Sequence, residues 1–121
     1  MKIMRPILML QAAAFLAAAL THFGVLVDGY KHRQAANAES VIGCVLLIGW
    51  ILTLVRPSWA TRSAVGAQSF AVFGTMVGIF TIVVGVGPRT MPDIVYHACI
   101  LILLLSGLSF SIYLWKRGRE F

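Results

Sequence analysis

Several ionisable side chains lie at the edges of long apolar runs in this sequence. Asp93 and His97 stand four residues apart in "GVGPRTMPDIVYH", just inside the last apolar run. A spacing of four residues puts both side chains on one face of a helix. His22 lies near the end of the first apolar run, and Glu39 lies near the start of the second. Carboxylates and imidazoles placed together in this way can bind a proton or a small polar ligand.

The composition requires lipid as the solvent for most of the chain. Of the 121 residues, 60% are hydrophobic and 12% are charged, whereas soluble domains contain about 25% charged residues. A small soluble domain buries only about 60–70% of its surface, so it could not hide this many apolar side chains. The net charge of +6 comes from basic residues at the ends of apolar runs, where they indicate topology and lipid headgroup contacts. We therefore expect the lipid bilayer as a partner and no nucleic acid.

Four apolar runs have the length of a membrane-spanning helix, which needs about 20 residues. The spans are predicted at residues 6–27, 37–55, 63–85 and 92–115. The segments "DGYKHRQAA", "RPSWATR" and "GVGPRT" separate them and carry glycine, proline or charge, which interrupt helices. The predicted fold class is all-α: residues 1–121 form a single polytopic membrane domain, with four transmembrane helices in an up-down bundle.

The basic residues predict the orientation of this bundle. Seven would lie on the side of the two termini: Lys2, Arg5, Arg56, Arg62, Lys116, Arg117 and Arg119. Three would lie on the other side: Lys31, Arg33 and Arg89. Because basic residues are retained on the cytoplasmic side, both termini are expected in the cytoplasm, with the protein in an inner membrane.

In this orientation, most ionisable side chains near the membrane core gather at the outer, periplasmic end. Such groups are costly in lipid and usually face a bundle interior or a cavity. We expect an outward-facing pocket for a small ligand or a proton. Its predicted lining residues are His22, Glu39, Asp93 and His97, with Arg89, Tyr96 and Tyr30 at its rim.

Structural and cofactor interpretations of the same residues stay open. The segment 90–93 fits the [ST]-x-x-[DE] capping pattern, so Asp93 is also explained as part of a helix N-terminus. His97 is also explained by a hydrogen-bond network that holds the bundle together. A divalent metal bound by these groups, or haem b held between His22 and His97, are the cofactor alternatives. The i, i+4 spacing differs from the Glu-x-x-His motif of metal sites in bundle cores.

The third span carries small residues on one face, namely Ala67, Ala71, Gly74 and Gly78. In lipid, small residues let helix backbones approach closely. This face is expected to pack within the bundle, and a homodimer is the alternative. The short chain also fits an accessory subunit of a larger membrane complex. An enzyme is not indicated, because the sequence lacks G-x-S-x-G, H-E-x-x-H and a phosphate-binding glycine loop.

The segments "THFGVLVDGYKH", "AESVIG", "RPSW" and "GVGPRTMPDIVYH" together resemble a family of small, uncharacterised four-helix bacterial integral membrane proteins. The resemblance covers most of the chain and implies no activity, so it assigns no functional residue. The chain does not resemble the small multidrug exporters. Those proteins carry a glutamate midway along the first span, whereas Glu39 stands at the edge of the second span here.

Overall fold

The chain folds into four α-helices joined by short segments. The computed structural model describes residues 3–118; Lys2 and Arg119 of the predicted basic set lie outside them. Helix α1 spans Met4–His22, α2 spans Arg33–Val55, α3 spans Ala60–Val83 and α4 spans Met91–Lys116. A short 3-10 turn at Pro57–Trp59 joins α2 to α3. Four helical segments are long and apolar enough to cross a membrane, which confirms the prediction of an all-α chain with four candidate spans.

Helix α1 ends five residues before the predicted end of the first span. Gly24 has a φ of +80°, a backbone conformation that favours glycine. The Gly24 N–H bonds the Thr21 carbonyl and the Val25 N–H bonds the Leu20 carbonyl, both at 3.0 Å, which is a Schellman cap. The apolar residues at 23–27 extended the hydropathy pattern beyond the helix, so the predicted boundary at residue 27 is wrong.

The other helix ends differ less from the sequence prediction. Helix α2 begins at Arg33 rather than residue 37, because the His32 ring accepts the Ala35 N–H at 3.2 Å and caps the helix. Helix α3 begins at Ala60 rather than residue 63, directly after the 3-10 turn. It ends at Val83 in a second Schellman cap, with Gly85 at a φ of +85°. Helix α4 lies within one residue of its predicted bounds at each end.

Each helix packs on the next helix along the chain, and α4 returns to contact α1. Helices α1 and α2 run in opposite directions, because Arg5 bonds the Thr53 carbonyl at one end and His22 bonds Glu39 at the other. Helices α3 and α4 are joined by a hydrogen bond that Gln68 of α3 accepts from the Ser111 hydroxyl of α4. We call the end that contains His22 and Glu39 the His22 end.

Small residues bring α2 and α3 close together. A Cβ added at Gly49 would lie 2.6 Å from the Cβ of Ala67, and one added at Gly74 would lie 2.6 Å from Cδ1 of Ile42. Ala67 and Ala71 are buried. Gly78, the last member of the predicted small-residue face, lies beside the ring of His97 on α4. Within the described chain, this face therefore packs against α2 and α4.

A neutral polar network lies near the middle of the bundle. Gln68 donates to Oε1 of Gln11 at 3.0 Å, and Gln11 donates to the Leu103 carbonyl at 3.1 Å. The Ser111 hydroxyl donates to Oε1 of Gln68 at 2.7 Å. Gly107 leaves room for this network, since a Cβ there would lie 2.5 Å from Nε2 of Gln11. Buried amides with such partners link helices without introducing charge.

Candidate functional site

His22 bridges two carboxylates from different helices. Its Nδ1 lies 2.7 Å from Oε2 of Glu39 on α2, and its Nε2 lies 2.9 Å from Oδ1 of Asp93 on α4. The exposed fractions are 4% for His22, 6% for Glu39 and 5% for Asp93, so the cluster is shielded from its surroundings. We call these three residues the His22 cluster. It joins α1, α2 and α4 at one level of the bundle.

The hydrogen bonds of the His22 cluster determine its minimum number of protons. Each imidazole–carboxylate contact needs one proton, so the two contacts require two. Two protons on the three groups leave one net negative charge, whether both are on the ring or one is on a carboxylate. Within residues 3–118, every ion pair involves His22, and neither Glu39 nor Asp93 is paired with lysine or arginine.

The start of α4 positions Asp93. Thr90 is the N-cap residue, and its hydroxyl accepts the Asp93 backbone N–H at 3.3 Å, as the sequence pattern predicts for a capping residue. The same hydroxyl donates to Oδ2 of Asp93. Both oxygens of Asp93 are therefore engaged, one by Thr90 and one by His22. The carboxylate lies in the first turn of α4, where the helix dipole favours negative charge.

His97 lies one turn further along α4 and is not part of the His22 cluster. Its Nδ1 donates to the Asp93 backbone carbonyl at 2.7 Å, because a carbonyl can only accept. In the neutral ring, Nε2 is then an acceptor. Among the described residues, Nε2 has no hydrogen-bond partner, and it lies 3.3 Å from where a Cβ at Gly78 would be.

A pocket of about 140 Å³ lies between α2, α3 and α4 at the His22 end. Glu39 and His97 line it, together with Tyr96 and the N-cap residue His32. Oε2 of Glu39 bonds His22, and Oε1 has no partner in the part of the chain that the structure describes. Apart from the amide of Gln34, the other walls are mainly apolar or weakly polar, and include Phe15, Ala35, Ala38, Ile42, Gly74, Thr75, Val77, Gly78, Thr81 and Ile100.

Tyr96 contributes a buried hydroxyl without a partner among residues 3–118. Its ring meets Phe15 edge to face at a centroid distance of 6.4 Å, and meets His97 in the same manner at 5.3 Å. A buried hydroxyl without a hydrogen bond is destabilising, unless a water or a ligand supplies the bond.

Arg89 does not reach this pocket. Its Nε donates to the Ile82 carbonyl at 3.0 Å and its Nη2 donates to the Val83 carbonyl at 3.3 Å. These carbonyls are at the last turn of α3, where arginine commonly satisfies groups that the helix leaves free. Placing Arg89 at the rim was therefore wrong: its position in the loop did not reveal that the end of α3 engages it.

A second depression, of about 290 Å³, lies between α1 and α4. Tyr30, His22 and Asp93 line it, as does the other side of Tyr96. Both ring nitrogens of His22 and both oxygens of Asp93 already have partners. This depression therefore offers a ligand fewer free polar atoms than the 140 Å³ pocket.

Several residues of the 140 Å³ pocket were not among the predicted site residues, notably Phe15, His32, Thr75 and Thr81. The sequence contained a partial signal, since Thr75 is a polar residue within an apolar span. Thr81 carried the same signal, whereas Phe15 could not be selected without knowing which helix faces converge.

The geometry bears on the two cofactor alternatives. Haem iron held between His22 and His97 would need a free nitrogen on each ring, and both nitrogens of His22 bond carboxylates. Over residues 3–118, no group of three or more His, Cys, Asp or Glu side chains is arranged to hold a metal ion. These residues therefore do not fit haem b between the two histidines, and they do not form a multi-ligand metal site.

Comparisons with known proteins add no assignment. No protein-family model, no curated protein and no solved structure matches this chain. The resemblance based on "GVGPRTMPDIVYH" and the other segments therefore stays a prediction.

Proposed function

We propose that this chain is a small multi-pass protein of the bacterial inner membrane that binds a small ligand or a proton at the outer end of its bundle. One observation carries the proposal: the 140 Å³ pocket combines a free oxygen of Glu39 and a free nitrogen of His97 with apolar walls. Small-molecule sites commonly have this composition, with a few polar groups in an apolar cavity.

The orientation is part of the same proposal. In an up-down bundle with both termini in the cytoplasm, the His22 end would face the periplasm. The excess of basic residues on the opposite side supports this orientation. At that opposite side, Arg56 lies 5.7 Å from the centroid of the Trp59 ring and Arg117 lies 5.2 Å from the centroid of the Tyr113 ring. Aromatic and basic side chains together are typical of a membrane interface.

The ligand pocket can be tested by filling it. Ala35 lines the pocket, whereas Ala98, next to His97 on α4, is exposed and does not line it. We would measure binding of n-butanol, n-butylammonium and n-butyrate to detergent-purified protein by saturation-transfer NMR. Both variants introduce the same side chain, and probe binding to the detergent micelle is the same in both. The difference in signal between Ala35→Trp and Ala98→Trp therefore measures binding in the pocket.

The proposal expects at least one probe to bind wild type and Ala98→Trp and to lose its signal in Ala35→Trp. Equal signals in the two variants for all three probes would contradict ligand binding in this pocket.

A second candidate is an accessory subunit of a larger membrane complex. The observation in its favour is the apolar surface beyond the helix ends at the His22 end, where Val25, Leu26, Val84 and Val86 are exposed. Exposed apolar patches of this kind can contact other membrane proteins. This function predicts a partner protein that co-purifies at fixed stoichiometry and is lost when Val25 and Leu26 are replaced by serine. A homodimer would instead show the mass of two chains, and the same two substitutions would reduce that mass to one chain.

A further inference from the structure

We propose that the ligand of the 140 Å³ pocket is a small protonated amine, a compact ammonium group on a short apolar body. This inference rests on the proposed function, since it names the class of ligand for the same pocket. The charge of the pocket, the hydrogen-bonding groups of its walls and its size favour this class of ligand.

The charge of the pocket favours a cation. The His22 cluster carries one net negative charge with the two protons that its contacts require. The first turn of α4 stabilises negative charge on Asp93, but Glu39 lies beyond the first turn of α2 and has no such support. Glu39 is also unpaired with lysine or arginine in the described chain, and its free Oε1 belongs to the residue that lines the pocket. Within a bundle of low polarity, such a carboxylate attracts a cation strongly.

Three polar side chains of the walls offer hydrogen-bond acceptors to a ligand. The hydroxyls of Thr75 and Thr81 donate to the carbonyls of Ala71 and Gly78, at 2.8 Å and 2.6 Å, so that only lone pairs remain for a ligand. When the His97 ring is neutral, its Nε2 is an acceptor, because Nδ1 donates to a carbonyl. The donors of the walls, on Gln34 and His32, lie at the beginning of α2. An alkylammonium group has three N–H donors and no acceptor, which matches the three acceptors.

The aromatic walls and the volume support the same class. Phe15 and Tyr96 both line the pocket, and aromatic rings attract ammonium groups. A pocket of about 140 Å³ is close to the roughly 150 Å³ cavity that holds benzene, so a body of about four to six heavy atoms fits.

The test compares three probes of equal chain length that differ in charge: n-butylammonium, n-butanol and n-butyrate. Their affinities for the full chain in detergent would be measured by saturation-transfer NMR, with Ala35→Trp as the reference for binding outside the pocket. We expect n-butylammonium to bind about tenfold more tightly than n-butanol, because its hydrogen bonds are charge-assisted, and n-butyrate to bind most weakly.

A matched pair of variants identifies the source of the charge preference. Glu39→Gln removes the charge at the pocket, while Asp28→Asn makes the same charge change on an exposed loop residue outside it. The tenfold preference for the amine should disappear in Glu39→Gln and persist in Asp28→Asn. The wild-type ranking of the three probes stands as a test even if Glu39→Gln does not fold.

The outcomes separate this inference from the proposed function. If n-butanol or n-butyrate binds the pocket as tightly as n-butylammonium, the amine class is overturned and the ligand pocket stands. If none of the three gives a signal that Ala35→Trp removes, the ligand pocket itself is contradicted and the inference falls with it.

Discussion

The Nδ1 atom of His22 lies 2.7 Å from Oε2 of Glu39, while Nε2 of the same ring contacts Asp93. One imidazole thus joins three helices and is the shared partner of two buried carboxylates. The same contact fixes Oε2 of Glu39 and leaves its other oxygen for the pocket. Bundle stability and the chemistry of the pocket are therefore linked through Glu39.

Removing the shared ring should be strongly destabilising. His22→Phe keeps an aromatic side chain but leaves two buried carboxylates without their partner. Breaking a buried pair in this way costs about 3–5 kcal/mol. The free energy of unfolding, measured by SDS titration in mixed micelles, should fall by that amount. Thr21→Val is the matched control, because that hydroxyl only bonds the Ala17 carbonyl of its own helix, at 2.9 Å; equal losses in both variants would contradict the bridging role.

Replacing all three members of the His22 cluster should restore much of the lost stability. The triple variant His22→Leu, Glu39→Leu, Asp93→Leu removes every buried charge of the cluster and supplies apolar volume. Replacing a complete buried ion network by hydrophobic residues is often neutral or stabilising. In the same SDS titration we expect the triple variant to be more stable than His22→Phe. A triple variant less stable than the single one would show that the cluster stabilises the bundle beyond satisfying its own charges.

The close approach of α2 and α3 at Gly49 predicts a clash and its rescue. A Cβ at Gly49 would lie 2.6 Å from the Ala67 Cβ, which is fixed to the backbone of α3. Gly49→Ala should therefore cost about 1–3 kcal/mol of unfolding free energy through overpacking. Adding Ala67→Gly should recover most of the lost unfolding free energy, because the methyl group at residue 49 then occupies the space that the Ala67 methyl group has vacated.

The control for that pair is Gly66→Ala on the exposed side of α3, where an added Cβ meets no atom within 4 Å. Because alanine has a higher helix propensity than glycine, Gly66→Ala should leave the free energy of unfolding unchanged or raise it by up to about 1 kcal/mol. A loss at Gly66 as large as that at Gly49 would indicate a general effect of glycine replacement rather than helix contact.

The hydroxyl of Tyr96 should be dispensable for folding. Tyr96→Phe deletes a buried group without a protein partner in the described chain, so thermal stability of the ligand-free protein should be unchanged or slightly higher. Tyr113→Phe, on an exposed ring near the end of α4, should leave thermal stability unchanged. A lower melting temperature in Tyr96→Phe than in Tyr113→Phe would show that the Tyr96 hydroxyl makes a bond that stabilises the fold.

The proposed orientation predicts on which side of the membrane a reporter protein fused to each segment will lie. A fluorescent protein that matures only in the cytoplasm should be bright when fused after residue 121, while an alkaline phosphatase fusion there should be inactive. Alkaline phosphatase inserted in the loop between α3 and α4, after Gly87, should be active. The reverse pattern would place the His22 end in the cytoplasm.

The sequence predicts the helices well because hydropathy and charge are local properties. It fails at residue 27, where apolar residues continue past the helix. The backbone turns at Gly24, and the glycine in "HFGVLV" was the available signal. The beginning of α2 was missed because histidine is not a common capping residue, although the His32 ring accepts a backbone N–H here.

Depth along the spans was enough to predict that His22, Glu39 and Asp93 gather at one end. It could not show that one ring joins both acids, since that depends on the rotation of three helices about their axes. His97 was grouped with these residues by its spacing from Asp93. His97 does contact Asp93 at this i, i+4 spacing, but the contact is a hydrogen bond to the backbone carbonyl of Asp93 and not to its carboxylate. The free nitrogen of His97 consequently belongs to the pocket and not to the cluster.

The most direct measurement of the central claim is a ¹⁵N NMR spectrum of histidine-labelled protein, recorded with and without n-butylammonium. The chain has three histidines, so His97→Gln assigns the His97 signals by their absence. We expect the Nε2 signal of His97 to shift as the amine donates to this nitrogen, while both nitrogens of His22 keep their hydrogen-bonded signals. A His97 signal that stays unchanged at saturating amine would contradict the claim that this pocket binds the amine.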